Sequence, residues 1–349
     1  MHPDPKSRDF LGSLSRTRES GCSTKAKVNT NITIYLDTKG RTVSTPHIPV
    51  LPEEVLQSFS GVGEGYFVDC TLGYAGHSAL ILERYPQLKQ IGIDRDQEAI
   101  EYSHKRLANY GQRSRLYKGT FAALLPKLQE SPIVAVLADF GVSSLQLDKK
   151  ERGFGFESQT LDMRMDSGAS LNAYEVVNHY SRERLEYILK EYGEVRLYKR
   201  LASAILETRA TAPIESARVL SALAEKVLPK GGRIHPATLM FQAIRIEVNN
   251  ELAEIEGLLD ALETMKPSGA IISLITFHSL EDRLVKNRFR QWSKECICDP
   301  HAIRCTCGNN HALGKTLNRK PVTAGKEELK KNPRSRSAKL RSFRFKIEG

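Results

Sequence analysis

The segment "FVDCTLGYAGHS", Phe67 to Ser78, runs from an apolar stretch into a turn that contains two glycines. Glycine lets the backbone approach a ligand closely, and the loop after the first strand of an open α/β sheet is a common place for a nucleotide-like ligand. Asp94 follows the apolar residues "IGI" and lies 21 residues after Gly73. A carboxylate at this position accepts two hydroxyl hydrogen bonds at once, which suits a ribose diol. The two features together predict a nucleoside-containing cofactor.

The turn by itself leaves NAD and S-adenosylmethionine as alternatives. The full GxGxxG spacing is absent, because the sixth position counted from Gly73 is Ser78. A dinucleotide also needs a helix N-terminus that is free for its pyrophosphate, and His77 crowds that entrance. A tight turn with a purely structural role is the remaining interpretation.

Alternating strand and helix patterns surround these residues. The segments "YFVDC", "QIGID", "RLYKGTF" and "IVAVLADFG" read as strands, and helical patterns follow the first two of them. This order predicts a parallel sheet with helices on both faces. The apolar segment "GAIISLITF" predicts a further strand, and the alternating residues Leu340 to Phe345 predict an edge strand.

The predicted order of strands and helices divides the chain into four ranges. Residues 151–240 give almost only helical patterns, so we expect a helical domain there that interrupts an α/β domain formed by residues 46–150 and 241–349. Residues 1–45 are polar and show little periodicity, which predicts a disordered extension. The helical insertion is the expected substrate-recognition domain.

The positive charge of the chain is concentrated at one end. The net charge is +11, and residues 281–349 hold 18 Lys and Arg against 7 Asp and Glu, while the other residues hold 34 of each sign. Such an excess predicts a surface that binds a polyanion, most often nucleic acid, although a solvated basic tail is the alternative. No apolar run approaches the ~18 residues of a membrane span, and no signal-peptide core is present. We therefore expect a soluble, cytoplasmic protein without a membrane partner.

Longer motifs occur in a fixed order between residues 47 and 341. They are "HIPVLPEEVL", "DCTLGYAGHS", "GIDRD", "ADFGVSSLQLD", "RGFGFE", "LDMRMD", "YGE", "HPATLMFQAIRIEVNNEL", "FHSLEDRLVK" and "NPRSRSAKLR". In these motifs the sequence resembles the MraW (RsmH) family of bacterial methyltransferases. The resemblance implies a class I S-adenosylmethionine-dependent, Rossmann-like α/β fold with an inserted helical domain. It also implies N4-methylation of a specific cytidine of 16S ribosomal RNA in the small subunit.

The resemblance also implies which residues bind the cofactor. Carried over position by position, they are Ala75, Gly76, His77, Asp94, Phe121, Asp139 and Gln146. Asp94 would bind the ribose, and Phe121 would pack near the adenine. Ala75 departs from the glycine that the family usually has. A positive φ at Ala75 would cost roughly 1 kcal/mol.

The segment "ADFG" at the end of the fourth strand places an acid and an aromatic residue side by side, without the two prolines of many amino-methyltransferases. We expect Asp139, or nearby backbone carbonyls, to accept hydrogen bonds from the cytosine amine, and Phe140 to stack on a base. Asp139 contacting only the cofactor is the alternative. His278 and Ser279 follow the apolar strand and either face the substrate or have a structural role.

A cytosine in folded RNA must lie in a loop or be flipped out of its stack. We expect the helical insertion and the basic end of the chain to hold the RNA backbone, through Arg334, Arg336, Lys339 and Arg341. Arg164 either contacts phosphate or pairs with a neighbouring acid. A methyltransferase acting on DNA and a non-catalytic, RNA-binding assembly factor are the competing functions.

Four cysteines form a CxC–x6–CxC pattern: Cys296, Cys298, Cys305 and Cys307. Four close thiolates bind zinc tetrahedrally, although the usual spacing is CxxC. Redox-active disulfides and reduced thiols are the alternatives. The position of this pattern, between the core and the basic end, favours a structural role, and we predict no catalytic metal.

Overall fold

A computed structural model describes residues 33–36, 42–45, 48–229, 235–299, 301 and 304–347. The chain forms two compact units, residues 1–46 and 47–349. In the first unit, strands β1 (Thr33–Leu36) and β2 (Thr42–Thr45) pair antiparallel. The remainder of the predicted disordered extension, residues 1–45, lies outside the described residues.

The second unit contains a seven-stranded sheet. Its strands are β3 (Gly65–Asp69), β4 (Leu88–Asp94), β5 (Ser114–Lys118), β6 (Ile133–Asp139), β7 (Ile271–Thr276), β8 (Gly314–Thr316) and β9 (Lys339–Phe345). The strands lie in the order β5-β4-β3-β6-β7-β9-β8. Strands β3 to β7 are parallel, and β9 pairs antiparallel with both β7 and β8. This sheet confirms the predicted Rossmann-like α/β fold.

Thirteen helices are described in the second unit. They are α1 (Pro52–Ser58), α2 (Gly76–Arg84), α3 (Gln97–Leu107), α4 (Phe121–Leu124), α5 (Ser144–Asp148), α6 (Ala173–His179), α7 (Arg182–Glu191), α8 (Tyr198–Thr211), α9 (Ala217–Val227), α10 (Thr238–Asn249), α11 (Glu251–Met265), α12 (Ser279–Trp292) and α13 (Lys326–Lys331). Within the described ranges, no helix is both long enough and apolar enough to cross a membrane.

The sheet is covered on both faces, because successive side chains of a strand point to opposite sides. On β6, Ala135 and Leu137 pack on the side of α1 and α2, whereas Val136 and Ala138 pack on the side of α4, α11 and α12. The near-continuous apolar sequence of β6 follows from this double burial.

Helices α6 to α10 lie between β6 and β7 in the chain and pack around a hydrophobic cluster of their own. This cluster runs from Phe154 to Val248 and is distinct from the clusters that cover the sheet. Residues 151–240 thus contain helices and no sheet strand among their described part. The division into a discontinuous α/β domain and a substrate-recognition domain stays a prediction.

The expectation of an edge strand at Leu340 to Phe345 is wrong. Strand β9 includes these residues but has β7 on one side and β8 on the other. Strand β8 forms the edge, and its three residues are too few to give an alternating pattern in the sequence.

A hydrogen bond between distant parts of the chain fixes the segment before α1. Leu51 is fully buried with a φ of 52°, and its backbone N–H donates to Oε1 of Glu328 at 2.8 Å. The Ser335 hydroxyl donates to the same oxygen. A buried N–H group without a partner is costly, so Glu328 on α13 stabilises this turn.

Replacement of Glu328 tests this connection. We expect Glu328→Ala to lower the free energy of unfolding by about 1–3 kcal/mol, because it leaves the buried Leu51 N–H unpaired. Glu327→Ala is the control, since Glu327 is exposed and pairs with Lys330 on the same helix; its effect should stay below about 0.5 kcal/mol. Urea unfolding followed by circular dichroism gives both values, and equal effects would contradict the assignment.

Candidate active site

A cavity of about 310 Å³ opens at the carboxyl ends of the parallel strands. Its wall includes Asp94 at the end of β4, Asp139 at the end of β6 and Phe277 just after β7. Met165 and Arg245, from the region between β6 and β7, line it as well. A cavity of this size suits a small-molecule ligand or cofactor.

Asp94 is oriented by two backbone N–H groups. Gly73 N–H donates to Oδ2 at 2.8 Å, and Asp96 N–H donates to Oδ1 at 2.8 Å. Burial raises the pKa of Asp94 to about 6, although these two hydrogen bonds oppose the shift. Each carboxylate oxygen keeps a further lone pair, so the predicted ribose acceptor is held in place while it can still accept hydroxyl protons.

The turn after β3 uses left-handed backbone conformations. Gly73 has a φ of 49° and Ala75 a φ of 54°. Glycine adopts this conformation freely, whereas alanine pays roughly 1 kcal/mol. The Ala75 methyl group is fully buried beside Leu72 and Leu82, and Ala75 is absent from the described cavity wall. The positive φ whose cost was considered above for Ala75 is therefore present.

The first residue of α2 is tightly enclosed. A Cβ atom at Gly76 would lie 2.7 Å from Cγ of Pro49, so a larger residue there requires Pro49 to move. Pro49, Gly76 and the next residue, His77, all line the cavity. Two of the three predicted turn residues thus reach the cavity.

His77 and Asp139 both line the cavity, and His77 Nε2 lies 3.8 Å from Asp139 Oδ2. Asp139 Oδ1 is buried without a hydrogen-bond partner among the described residues. Burial raises the pKa of Asp139, the nearby His77 opposes that shift, and the Glu281 carboxylate adds to it. An acid with a raised pKa in a cavity is a candidate acceptor of protons.

Aromatic side chains form an apolar part of the wall. Phe121 is the first residue of α4, and Phe140 directly follows Asp139. Both rings are buried, and their centroids lie 6.1 Å apart. Together with Ile255 they give the cavity a surface on which a flat ring can pack.

Gln146 lines the cavity, but both polar atoms of its side-chain amide are hydrogen-bonded to other protein groups. Its Oε1 accepts from Ser143 N–H at 3.0 Å, and its Nε2 donates to Asp96 Oδ2 at 3.1 Å. The Arg152 guanidinium donates to the same Asp96 oxygen at 2.9 Å. Gln146 therefore connects the loop after β6 to the start of α3, beside Asp94.

Sequence reasoning missed an ion pair in the cavity wall. Asn250 has a φ of 52° and separates α10 from α11, so that Glu251 meets Arg245. Arg245 Nε and Nη2 donate to the two Glu251 oxygens at 2.7 and 3.0 Å, which is a bidentate pair. A signal was present in the sequence, because Arg245 lies between two isoleucines in "AIRI".

Glu281 also lines the cavity and is fully buried. Its Oε2 accepts from the backbone N–H of Phe277 at 2.7 Å and from that of His278 at 3.3 Å, and His278 Nε2 lies 3.1 Å from its Oε1. Burial alone would raise the pKa of Glu281, but His278, Arg245 and the backbone N–H lower it.

Neither His278 nor Ser279 belongs to the described cavity wall, although the sequence left open that both face the substrate. His278 contacts Glu281, and the Ser279 hydroxyl donates to Glu194, which Arg283 also contacts at 3.0 Å.

Acids outnumber bases in the cavity wall. The acids are Asp94, Asp139, Glu251, Glu254 and Glu281, and the arginines are Arg95, Arg245 and Arg334. Arg245 pairs with Glu251, and Arg95 Nη2 lies 3.7 Å from Glu254 Oε2. Three acids therefore remain without an arginine partner in the wall, and this balance favours a cationic ligand over an anionic one.

The predicted RNA-contacting role of Arg341 is wrong. Arg341 is buried and donates to both oxygens of Asp282, at 2.7 and 3.2 Å. This ion pair occupies the guanidinium, which the sequence pattern could not reveal because Asp282 is 59 residues away. Lys339 lies 3.5 Å from the same acid, whereas Arg336 is exposed.

Two further arginines are paired. Arg164 donates to both oxygens of Asp162 at 2.9 and 2.7 Å, which confirms the pairing alternative for this residue. Arg334 donates to Asp148 at 2.7 Å and lines the cavity. Arg334 is therefore part of the cavity wall and not of a solvated tail.

Comparison with known proteins identifies the family of this chain. The profile of the MraW methylase family matches residues 44–346. Ribosomal RNA small subunit methyltransferase H of Sulfurovum sp. (strain NBC37-1) is 74% identical over 306 residues, which cover 88% of this chain and 100% of the relative. Proteins of the same name from Nitratiruptor sp. and Wolinella succinogenes are 56% and 54% identical, each over 87% of this chain and 100% of the relative. The match spans nearly all of the second unit, and the chain therefore belongs to the MraW methylase family.

Proposed function

We propose that this protein transfers a methyl group from S-adenosylmethionine to the N4 amine of one cytidine in the 16S RNA of the small ribosomal subunit. The observation that carries the proposal is the Asp139 carboxylate, which lines the cavity at the end of β6 with a pKa that burial raises. The family supplies the reaction class, and relatives that align over their whole length are named for ribosomal RNA of the small subunit.

The cavity fits a cofactor that contains a nucleoside and a positive charge. Asp94 has free lone pairs for ribose hydroxyls, and Phe121 and Ile255 offer an apolar surface to adenine. The excess of acids in the wall favours a sulfonium and disfavours the pyrophosphate of a dinucleotide. This balance supports S-adenosylmethionine over NAD. When bound, S-adenosylmethionine supplies a methyl group activated by its positively charged sulfur.

The cytosine amine is a weak nucleophile, because its lone pair is delocalised into the ring. A carboxylate that accepts an amine hydrogen draws the nitrogen toward tetrahedral geometry and takes the proton that leaves once the nitrogen is methylated. Asp139 fits this role, since its raised pKa makes it a better proton acceptor than an exposed aspartate. His77 Nε2 lies 3.8 Å from the carboxylate, and Phe140 offers a ring face to the base.

The target base has to leave its stack to enter the cavity. Met165 and Arg245, from the region between β6 and β7, and Arg334, from the basic end, line the cavity. We assign RNA recognition to the helices of residues 151–240 and to the basic end, with the exposed Arg336 as a phosphate contact. Action on ribosomal RNA agrees with the cytoplasmic location predicted from the sequence.

The direct test is incubation with labelled S-adenosylmethionine and small ribosomal subunits from cells that lack this methylation. We expect a labelled N4-methylcytidine peak after the RNA is digested to nucleosides. Label in free DNA but not in the subunit would instead identify a DNA methyltransferase. Cofactor binding without label in any nucleic acid would identify an assembly factor.

The ribose role of Asp94 predicts a pH-dependent affinity. Ribose hydroxyls donate to the ionised carboxylate, so the affinity for S-adenosylhomocysteine should fall as the pH drops through about 6, the pKa of Asp94, and level off above it. Asp94→Asn should bind about 10- to 100-fold more weakly at pH 8 and lose this dependence. Calorimetry measures both.

The control for Asp94 is Glu101→Gln, because Glu101 is an exposed acid on the neighbouring helix α3. It should bind like the unmodified protein. An Asp94→Asn variant with unchanged affinity would remove the ribose assignment while leaving the catalytic role of Asp139 intact.

The acceptor role of Asp139 predicts a loss of turnover without a matching loss of binding. Asp139→Asn should lower kcat about 10²- to 10⁴-fold, while the affinity for S-adenosylhomocysteine changes much less. In the unmodified protein kcat should rise with pH through the pKa of Asp139, which lies above its ordinary 3.8. His77→Gln removes an interaction that lowers this pKa, so the rise should move to higher pH.

Rapid-quench methyl transfer at saturating cofactor gives these profiles. Near-normal turnover of Asp139→Asn would disprove the acceptor role. A shift of the His77→Gln profile to lower pH would show that the two side chains are not coupled as the geometry requires.

A further inference from the structure

Between α12 and β8 lies a segment that we call the cysteine hairpin (residues 296–310), whose described residues are exposed or half-buried. Two backbone hydrogen bonds close its base: His311 N–H donates to Glu295 C=O at 3.0 Å, and Leu313 N–H donates to Trp292 C=O at 2.8 Å. Trp292 is buried and packs against Phe343 of β9. The hairpin thus projects from a rigid base.

The described residues of the cysteine hairpin form no hydrophobic core of their own. Among its described residues none is buried, and the Ile297 side chain is 63% exposed. Ordering a residue costs about 1–2 kcal/mol of backbone entropy, which such a segment cannot recover by burying apolar surface. Segments of this kind are held by cross-links or by a metal.

The four sulfurs of the hairpin lie close together. Cys296 Sγ lies 3.6 Å from Cys305 Sγ and 3.7 Å from Cys307 Sγ, and the latter two are 3.7 Å apart. With Cys298, all four sulfurs lie within 4.8 Å of one another. A regular tetrahedron with zinc–sulfur bonds of about 2.3 Å has edges of about 3.8 Å, whereas a disulfide brings two sulfurs to about 2.05 Å.

We propose that the cysteine hairpin binds one Zn²⁺ ion through the thiolates of Cys296, Cys298, Cys305 and Cys307, as a structural site. Four thiolates in tetrahedral arrangement select zinc or iron among common metals, and a closed set of four protein ligands is typical of structural zinc. The proposal is independent of the methyltransferase function, because none of the four cysteines is among the described residues of the cavity wall.

Groups around the sulfurs fit a cluster of thiolates. Ile297 N–H donates to Cys307 Sγ at 3.5 Å, and Thr306 N–H donates to Cys298 Sγ at 3.3 Å. Such N–H groups stabilise negative sulfur. His311 does not complete the ligand set, because its Nε2 contacts the Cys307 carbonyl at 2.7 Å, where it orients the ligand-bearing backbone.

A second group, Glu251, His278 and Glu281, also brings its potential ligand atoms within 4.8 Å of one another. Two of its three side chains are already engaged. Arg245 forms a bidentate pair with Glu251, and two backbone N–H groups donate to Glu281. A cation there would have to compete with Arg245, so we assign no metal to this group.

The test is the metal content of tag-free protein purified without chelators. Elemental mass spectrometry should find about one zinc ion per chain, and Cys305→Ser and Cys307→Ser should each reduce it to near zero. Cys22→Ser is the matched control, because it removes a cysteine from outside the hairpin, and it should keep its zinc. Protein loaded with Co²⁺ should show the absorption bands of tetrahedral tetrathiolate cobalt.

The cobalt spectrum decides the question even if the serine variants fail to fold, because it uses the unmodified chain. Iron in place of zinc, a disulfide within the hairpin, or metal-free protein from zinc-supplemented cells would each overturn the proposal. Full zinc content in both serine variants would overturn the ligand set.

Discussion

The reversal of strand order between β3 and β6 is the constraint on which the rest of the structure depends. The connections that follow these neighbouring parallel strands leave the sheet in opposite directions, so a crevice opens at their carboxyl ends. The turn at Gly73 and the acid Asp139 border that crevice directly, and Asp94 reaches it from the next strand. The chemistry of the site is therefore set by which residues end the strands.

This arrangement buries ionisable groups away from solvent. Burial raises the pKa of Asp69, Asp94 and Asp139. A carboxyl group whose pKa is higher in the folded than in the unfolded state stabilises the fold only while protonated, and this contribution is lost as the pH rises through the folded-state pKa. At neutral pH the site therefore weakens the fold, as expected where acids are kept for binding rather than for stability.

Local signals predicted the strands and the turn, because alternation, apolar runs and glycines are visible within a few residues. The same signals failed where distant residues decide the outcome. Arg341 forms an ion pair with Asp282, and the three-residue strand β8 pairs with β9 and takes the edge position of the sheet. The pairing of Arg245 with Glu251 depends on the left-handed conformation of Asn250 between two helices, a turn that helical periodicity does not reveal.

The guanidinium of Arg152 couples two parts of the site. It donates to Asp96, whose backbone N–H fixes Asp94, and also to the carbonyls of Arg164 and Met165. One side chain thus connects the Asp94 side of the cavity to the segment leading into the helices. A ligand that shifts one end changes the free energy of the other, and thermodynamic linkage makes this effect reciprocal. If the cofactor binds beside Asp94 and the RNA contacts the helices, as proposed above, each would change the affinity of the other by the same factor.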